Sequence, residues 1–339
     1  MPLLDLLKKK EQPIQQEGKR VIKVSQSLLK LLYDKNQELL PHCPLEIYET
    51  YISPNKDKYD TTTEAMLKGK FGEGFILGKS AKGDLVTELP KNKKNGEPVI
   101  DEVRIRQMAQ LAKIKLTEYR VPIYPNINTQ VPIACYLMRT PELDVILQTE
   151  LDLFPTSIYI DGKYYLAVID IKWTSNPHSS YGSFCWSTPQ YMDHIQPDSI
   201  YWILEHIDLD LCKQLNPEFD KEVGFDNIFT EAVKNNIKSN IYFFYFVIGF
   251  NAVEMNNILD PIRRFKYEVD DKGNYLNNNR QVEVYERMRK GVELLERYRA
   301  EGYIPVPYED KYNFRGCYRC AVNKKNGGFC EIAKQVVNC

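Results

Sequence analysis

Two periods of apolar residues alternate along the chain, and the point where one gives way to the other separates helical from strand-like sequence. After Ser25-Gln26-Ser27, the leucines of LLKLLYDKNQELL recur at helical spacing and predict a capped helix, broken by Pro41-His42-Cys43-Pro44. A short helix is expected over Glu46 to Tyr51, and another within Thr61 to Leu77, where Gly69, Gly72 and Gly74 weaken the pattern. Asp101 to Tyr119 carries Val103, Met108, Leu111 and Ile114 at helical spacing. From about Val131 the pattern is that of strands: DVILQTELDLF, then SIYI, an Asp161-Gly162 turn, and KYYLAVIDIKW. Asp-Gly between two such runs signals a hairpin. Beyond it are expected a helix over Met192 to Glu205, a buried strand over Ile241 to Phe250, an edge strand near Phe265 to Val269 and a charged helix at about 281–300. This order predicts an α/β fold, a central mixed sheet flanked by helices with helical insertions.

Composition narrows the picture modestly. At 339 residues and 43% hydrophobic content the chain can bury a sizeable core. Its 45 basic and 46 acidic residues nearly cancel, which argues against a protein that coats DNA but not against an enzyme with a local basic groove. No apolar stretch is long enough to suggest a transmembrane helix, so no membrane association is expected. The start, MPLLDLLKKKEQ, places its charges after the apolar run, the reverse of a signal peptide, and a cytoplasmic location is expected. In a reducing compartment, clustered cysteines favour metal binding over disulfides.

The hairpin carries the candidate chemistry. One strand ends with Glu150-Leu151-Asp152, and the returning strand ends with Asp170-Ile171-Lys172. Side chains alternate in a strand, so Asp170 and Lys172 share a face, and a sheet neighbour can bring Asp152 beside them. Two carboxylates among apolar residues repel each other and resist burial. A divalent cation relieves that repulsion, and Mg²⁺ or Mn²⁺ bound by carboxylate and phosphate oxygens is the natural candidate. Lys172 would orient or deprotonate a water, or neutralise charge on a phosphate. The competing reading is an ordinary surface Asp-x-Lys strand with a turn aspartate; the apolar flanks of VIDIKW and the second acid 18 residues upstream weigh against it.

ELD, a hairpin and DIK together resemble the core of the PD-(D/E)XK nucleases, and specifically the RecB-like branch. The resemblance implies a restriction-endonuclease-like core and a metal-dependent DNA nuclease, with exonuclease action on DNA ends in phage or bacterial recombination, repair or defence. Asp152, Asp170 and the Ile171 carbonyl would be metal ligands and Lys172 the activator. The branch has a Gln and a Tyr on the following helix; Gln196 and Tyr201 match, at a spacing one residue longer than usual, and Gln190 with Tyr191 fits less well. Ser25-x-Ser27, Cys43-Pro44 and Gly69-x3-Glu73 echo its amino-terminal pattern, with Glu73 standing where the family often has a metal-ligating His. A solvent-facing acid beside a close-packed turn is the rival reading of Glu73.

Cysteine spacing adds a second centre. Cys317-x2-Cys320 is a metal-type spacing, and Cys330 and Cys339 follow within the last 23 residues. RecB-like nucleases with an iron–sulfur cluster, AddB and the CRISPR-associated exonucleases among them, use one upstream and three carboxyl-terminal cysteines. That resemblance assigns Cys43, Cys317, Cys320 and Cys330 to a 4Fe–4S cluster joining the two ends of the chain. A local Zn²⁺ site of Cys317, Cys320, Cys330 and Cys339 is the alternative. Cys135, Cys185 and Cys212 read as buried thiols. The histidines (His42, His178, His194, His206) form no ligand pair, although His178 lies close enough to the lysine strand in sequence to approach a phosphate. Arg263, Arg264, Lys266, Arg287, Arg289 and Lys290 would either line a DNA groove or form solvated faces.

The expected organisation is a flexible segment at 1–20 and a single domain at 21–339, with a helical lobe at 61–130, a catalytic core at 131–250 and a cluster-binding tail at 313–339. Partners would be DNA and a helicase or recombination protein, because no G-x4-G-K-[ST] loop is present to drive unwinding. A catalytically silent DNA-binding relative, or an unrelated α/β protein with a zinc-stapled tail, are the other classes the sequence allows.

Overall fold

The computed structural model describes residues 19–25, 64–78, 101–175, 177–178, 195–237 and 241–264, together with 288, 289, 292, 293 and 296. The chain divides into two compact units. The smaller comprises Met1–Thr61, Tyr136–Leu147 and Gln281–Cys339, the larger Thr62–Cys135 and Gln148–Arg280. The elements are β1 (Arg20–Ser25), α1 (Glu64–Leu77), α2 (Asp101–Glu118), β2 (Thr129–Arg139), β3 (Leu143–Ile160), β4 (Lys163–Thr174) and α3 (Ile195–Glu205). Short helices α4 (Leu209–Leu215), α5 (Pro217–Glu222), α6 (Phe225–Ile228) and α7 (Glu231–Ile237) follow, then β5 (Ile241–Gly249) and β6 (Ile262–Arg264).

The larger unit is α/β, a mixed sheet flanked by helices. β3 and β4 form an antiparallel hairpin, β4 and β5 run parallel, and β5 and β6 run antiparallel. Asp161 and Gly162 both take positive φ, 50° and 80°, as a tight primed turn requires at its two central residues. A parallel β4–β5 pair needs a crossover, which α3 to α7 supply. Alternation assigns the two faces. Ala167, Ile169 and Ile171 of β4 and Phe244, Phe246 and Ile248 of β5 pack against Ile76, Leu77, Met108, Ala112 and Leu116 of α1 and α2. Asp170 and Lys172 alternate with that apolar set and share the sense of Phe243 and Tyr245, from which α3 takes hydrogen bonds.

α1 lies close on β4. A Cβ at Gly72 would fall 2.3 Å from Trp173 Cζ2, so only glycine permits this approach. Glycines that weaken the helix by propensity thus serve its packing.

In the smaller unit β1 pairs with β3, and Lys19 and Arg139 both pair with the buried Asp144. β1 was not among the expected elements: its apolar positions, Ile22 and Val24, alternate over too short a stretch to stand out beside the polar amino terminus. DVILQTELDLF and SIYI, read as separate strands, form one 18-residue strand with a register shift between Leu153 and Thr156. The helices expected over 25–60, the edge strand at 265–269 and most of the helix at 281–300 lie outside the described residues; β6 forms the edge just before 265. Among the described residues no helix is long and apolar enough to cross a membrane.

Candidate active site

Asp170 sits near the carboxyl-terminal end of β4, paired with Tyr245 of the parallel neighbour. It is 6% exposed. One carboxylate oxygen accepts from Gln196 Nε2 at 2.5 Å, and the other meets Lys172 Nζ at 2.5 Å. Gln196, 8% exposed on the first turn of α3, has its amide oxygen 3.4 Å from the hydroxyl of the buried Tyr245. Asp170 is therefore held on both oxygens, by a neutral donor from the crossover helix and by a cation from its own strand.

Asp152 reaches the same place from β3. The Leu153–Ile169 pairing, continued by one residue, puts Asp152 across from Asp170. Its carboxylate accepts from the Ile171 N–H at 2.6 Å, taking the place of a ladder partner where the register begins. Burial, followed by the Glu73 and Asp170 charges, pushes the Asp152 carboxyl well above its ordinary range, against the pull of Lys172 and the Ile171 N–H.

Glu73 comes from α1. Burial raises its carboxyl from 4.5 to about 7; Lys172 opposes the rise, and Asp170 and Glu150 add to it. Gln130 Nε2 donates to Glu73 Oε1 at 2.8 Å. Lys172 stands among these acids. Burial disfavours its charge, but Asp170, Asp152 and Glu73 outweigh burial and raise its pKa above the usual lysine value. The site thus gathers three carboxyl groups around one ammonium, so that ionising all three leaves it short of positive charge, which is why burial and mutual repulsion raise Asp152 and Glu73.

No family model matches the chain, and no curated protein matches it either. The site is read from its chemistry alone.

Its donors are carboxylate and amide oxygens, the set that suits a hard divalent cation such as Mg²⁺ or Mn²⁺. The charge of the ionised acids is what such an ion would neutralise. Among the described residues no three His, Cys, Asp or Glu side chains stand together as a ready metal cage, since each acid is turned onto a protein donor. The residues fit a cation in chemistry, and each carboxylate has lone pairs beyond those its protein donor occupies.

Of the residues expected at the site, Glu73, Asp152, Asp170, Ile171, Lys172 and Gln196 come together. Tyr201 takes a different position. It is 2% exposed, its hydroxyl accepts from the Phe243 N–H at 2.9 Å and donates to the Arg264 carbonyl at 3.1 Å, and so it ties α3 to β5 and β6. Cys43, Cys317, Cys320, Cys330 and Cys339 lie outside the described residues, as do Cys185, His42 and His194. Cys135 and Cys212 are buried free thiols, each pushed up to about 12 by burial. His178 lies 2.7 Å from the Asn256 carbonyl through Nε2, and His206 stacks on Trp202. Arg263 and Arg264 are half-buried and lie over Tyr242 and Tyr245 respectively. Lys266, Arg287 and Lys290 are outside the described residues, and Arg289 pairs with Glu293.

Sequence reasoning missed Gln130, Glu150 and Tyr245. Glu150 was within reach of it, because a residue two before Asp152 on a strand shares its face. Gln130 and Tyr245 left no such sign, since their place at the site depends on which elements pack together.

Proposed function

We propose that this chain is a metal-dependent DNA nuclease of the RecB-like PD-(D/E)XK kind, hydrolysing phosphodiester bonds at DNA ends. The observation that carries the reading is the pairing of Asp152 and Asp170 across a hairpin with Lys172 two residues on. Asp170 and Lys172 lie at the carboxyl end of β4, which a helical crossover joins to its parallel neighbour and where open α/β sheets place ligands, and Asp152 faces them from β3. Asp152, Asp170, Glu73 and the Ile171 carbonyl would hold Mg²⁺ or Mn²⁺, which when bound supplies an acidified water and neutralises phosphate charge.

The chain's own groups have separable parts in this. Lys172, kept charged by its three acids, is suited to face the negative charge that builds on phosphate oxygens. Gln196 restrains Asp170, and the Ile171 N–H restrains Asp152, which limits how far the acids must reorganise. The cysteines belong to the proposal as a second metal centre, with an iron–sulfur cluster on Cys43, Cys317, Cys320 and Cys330 as the first assignment.

The test is degradation of linear single- and double-stranded DNA by anaerobically purified protein with Mg²⁺ or Mn²⁺. Lys172→Ala and Asp170→Ala, shown to be folded by circular dichroism, should both abolish it. An inactive wild type, or activity surviving in both variants, would reject the reading.

A further inference from the structure

Gln130, at the start of β2, has no part in the chemistry above, yet it is the most unusually placed polar side chain near the acids. It is 7% exposed, and its backbone is left-handed, with φ +53°. Its Nε2 donates to Glu73 Oε1 at 2.8 Å, while its Oε1 is buried with no hydrogen-bond partner among the described residues. With Nε2 on Glu73 Oε1, Oε1 is the atom of the amide left over. A buried amide oxygen without a donor is destabilising, and a left-handed backbone at a residue other than glycine adds to the strain. Both atoms belong to one planar amide, so the orphan oxygen lies within an amide's breadth of the nitrogen that holds Glu73, at the edge of the acid cluster.

A neutral, hard oxygen left without a donor at the edge of clustered acids suits a divalent cation as a ligand. We infer that Gln130 is a ligand of the site's divalent cation: Nε2 positions Glu73, and Oε1 coordinates the ion alongside it. The inference rests on the metal-dependent reading of this site and adds to it a ligand from β2, an element outside the acid–acid–lysine pattern. It also gives a partner to Glu73, the expected ligand from α1: the carboxylate and the amide act as a pair.

The experiment is Mn²⁺ binding to the full-length protein, followed by the electron paramagnetic resonance signal of the free ion and by calorimetry. Wild type is compared with Gln130→Met, which keeps the length and loses both polar atoms, and Gln130→Glu, which keeps an oxygen. Gln130→Met should weaken Mn²⁺ binding about tenfold or more, the loss of one of the few protein ligands such an ion has. Gln130→Glu should bind at least as tightly as wild type. Combined with Glu73→Gln, the losses should be less than multiplicative, because both act on one ion. Wild-type affinity in folded Gln130→Met would overturn the assignment of Gln130 and leave the metal site standing. No Mn²⁺ binding by wild type would remove the metal reading, and this inference with it. Should Gln130→Met fail to fold, Gln130→Glu decides alone, and a loss of affinity in it counts against the assignment.

Discussion

Replacing Glu73 by Gln should stabilise the metal-free protein at alkaline pH and have little effect near pH 5. The folded protein raises the Glu73 carboxyl from 4.5 to about 7, chiefly through burial. Between those values the native state holds a proton that the unfolded chain has released. Stability linked to this group is therefore fully present below the unfolded value and is lost as pH climbs toward 7. The span of the shift, at about 1.4 kcal/mol for each pH unit, corresponds to roughly 3 kcal/mol as an upper bound, since Glu73 keeps some contact with water. Glutamine is neutral at every pH and can still accept from Gln130. The stability of Glu73→Gln minus that of wild type should therefore grow from pH 5 to pH 7 and level off above it. Denaturant unfolding with EDTA at unit pH steps reads this directly. A difference that stays flat across that range would refute the argument that an unneutralised carboxylate is held in the site. Saturating Mn²⁺ should in turn stabilise wild type more than the variant at pH 8.

Other consequences follow from the same contacts. Lys172→Met strands Asp170, Asp152 and Glu73 without their shared cation and should destabilise the metal-free protein by about 3–5 kcal/mol at pH 8, with Mn²⁺ recovering much of the loss in a calorimetric melt. Tyr201→Phe removes the hydroxyl that bridges Phe243 and Arg264; stability should fall by about 1–3 kcal/mol and amide exchange in β6 should quicken, with the proposed nuclease activity of the folded protein unchanged. A large fall in kcat at unchanged stability would instead make Tyr201 part of the chemistry. Gly72→Ala gains about 1 kcal/mol of helix propensity but drives a Cβ into the Trp173 ring. Overpacking of about 1–3 kcal/mol should win, lowering Tm and shifting the tryptophan emission.

What the sequence determined by itself was local. The Asp161-Gly162 turn, the apolar flanks of VIDIKW and the helical spacing in Asp101–Glu118 each depend on residues close in the chain, so hairpin, strand and helix were legible with their faces. The turn brought the two acids only close: the register that leaves it would set Asp152 across from Ile171, and the shift between Leu153 and Thr156 moves it to Asp170. Tertiary structure decided whatever depends on distant partners. Tyr201 and Gln196 lie on one helix, yet the packing of α3 turns Gln196 to Asp170 and Tyr201 to the backbone of β5 and β6. Gln130 reads as a polar residue at the head of a strand, and its meaning comes from α1, which sets Glu73 against it from 57 positions away. Periodicity reports which side of an element is apolar. It cannot report what stands opposite, and for a cluster of charges the identity of the opposite groups fixes both protonation and ligand chemistry.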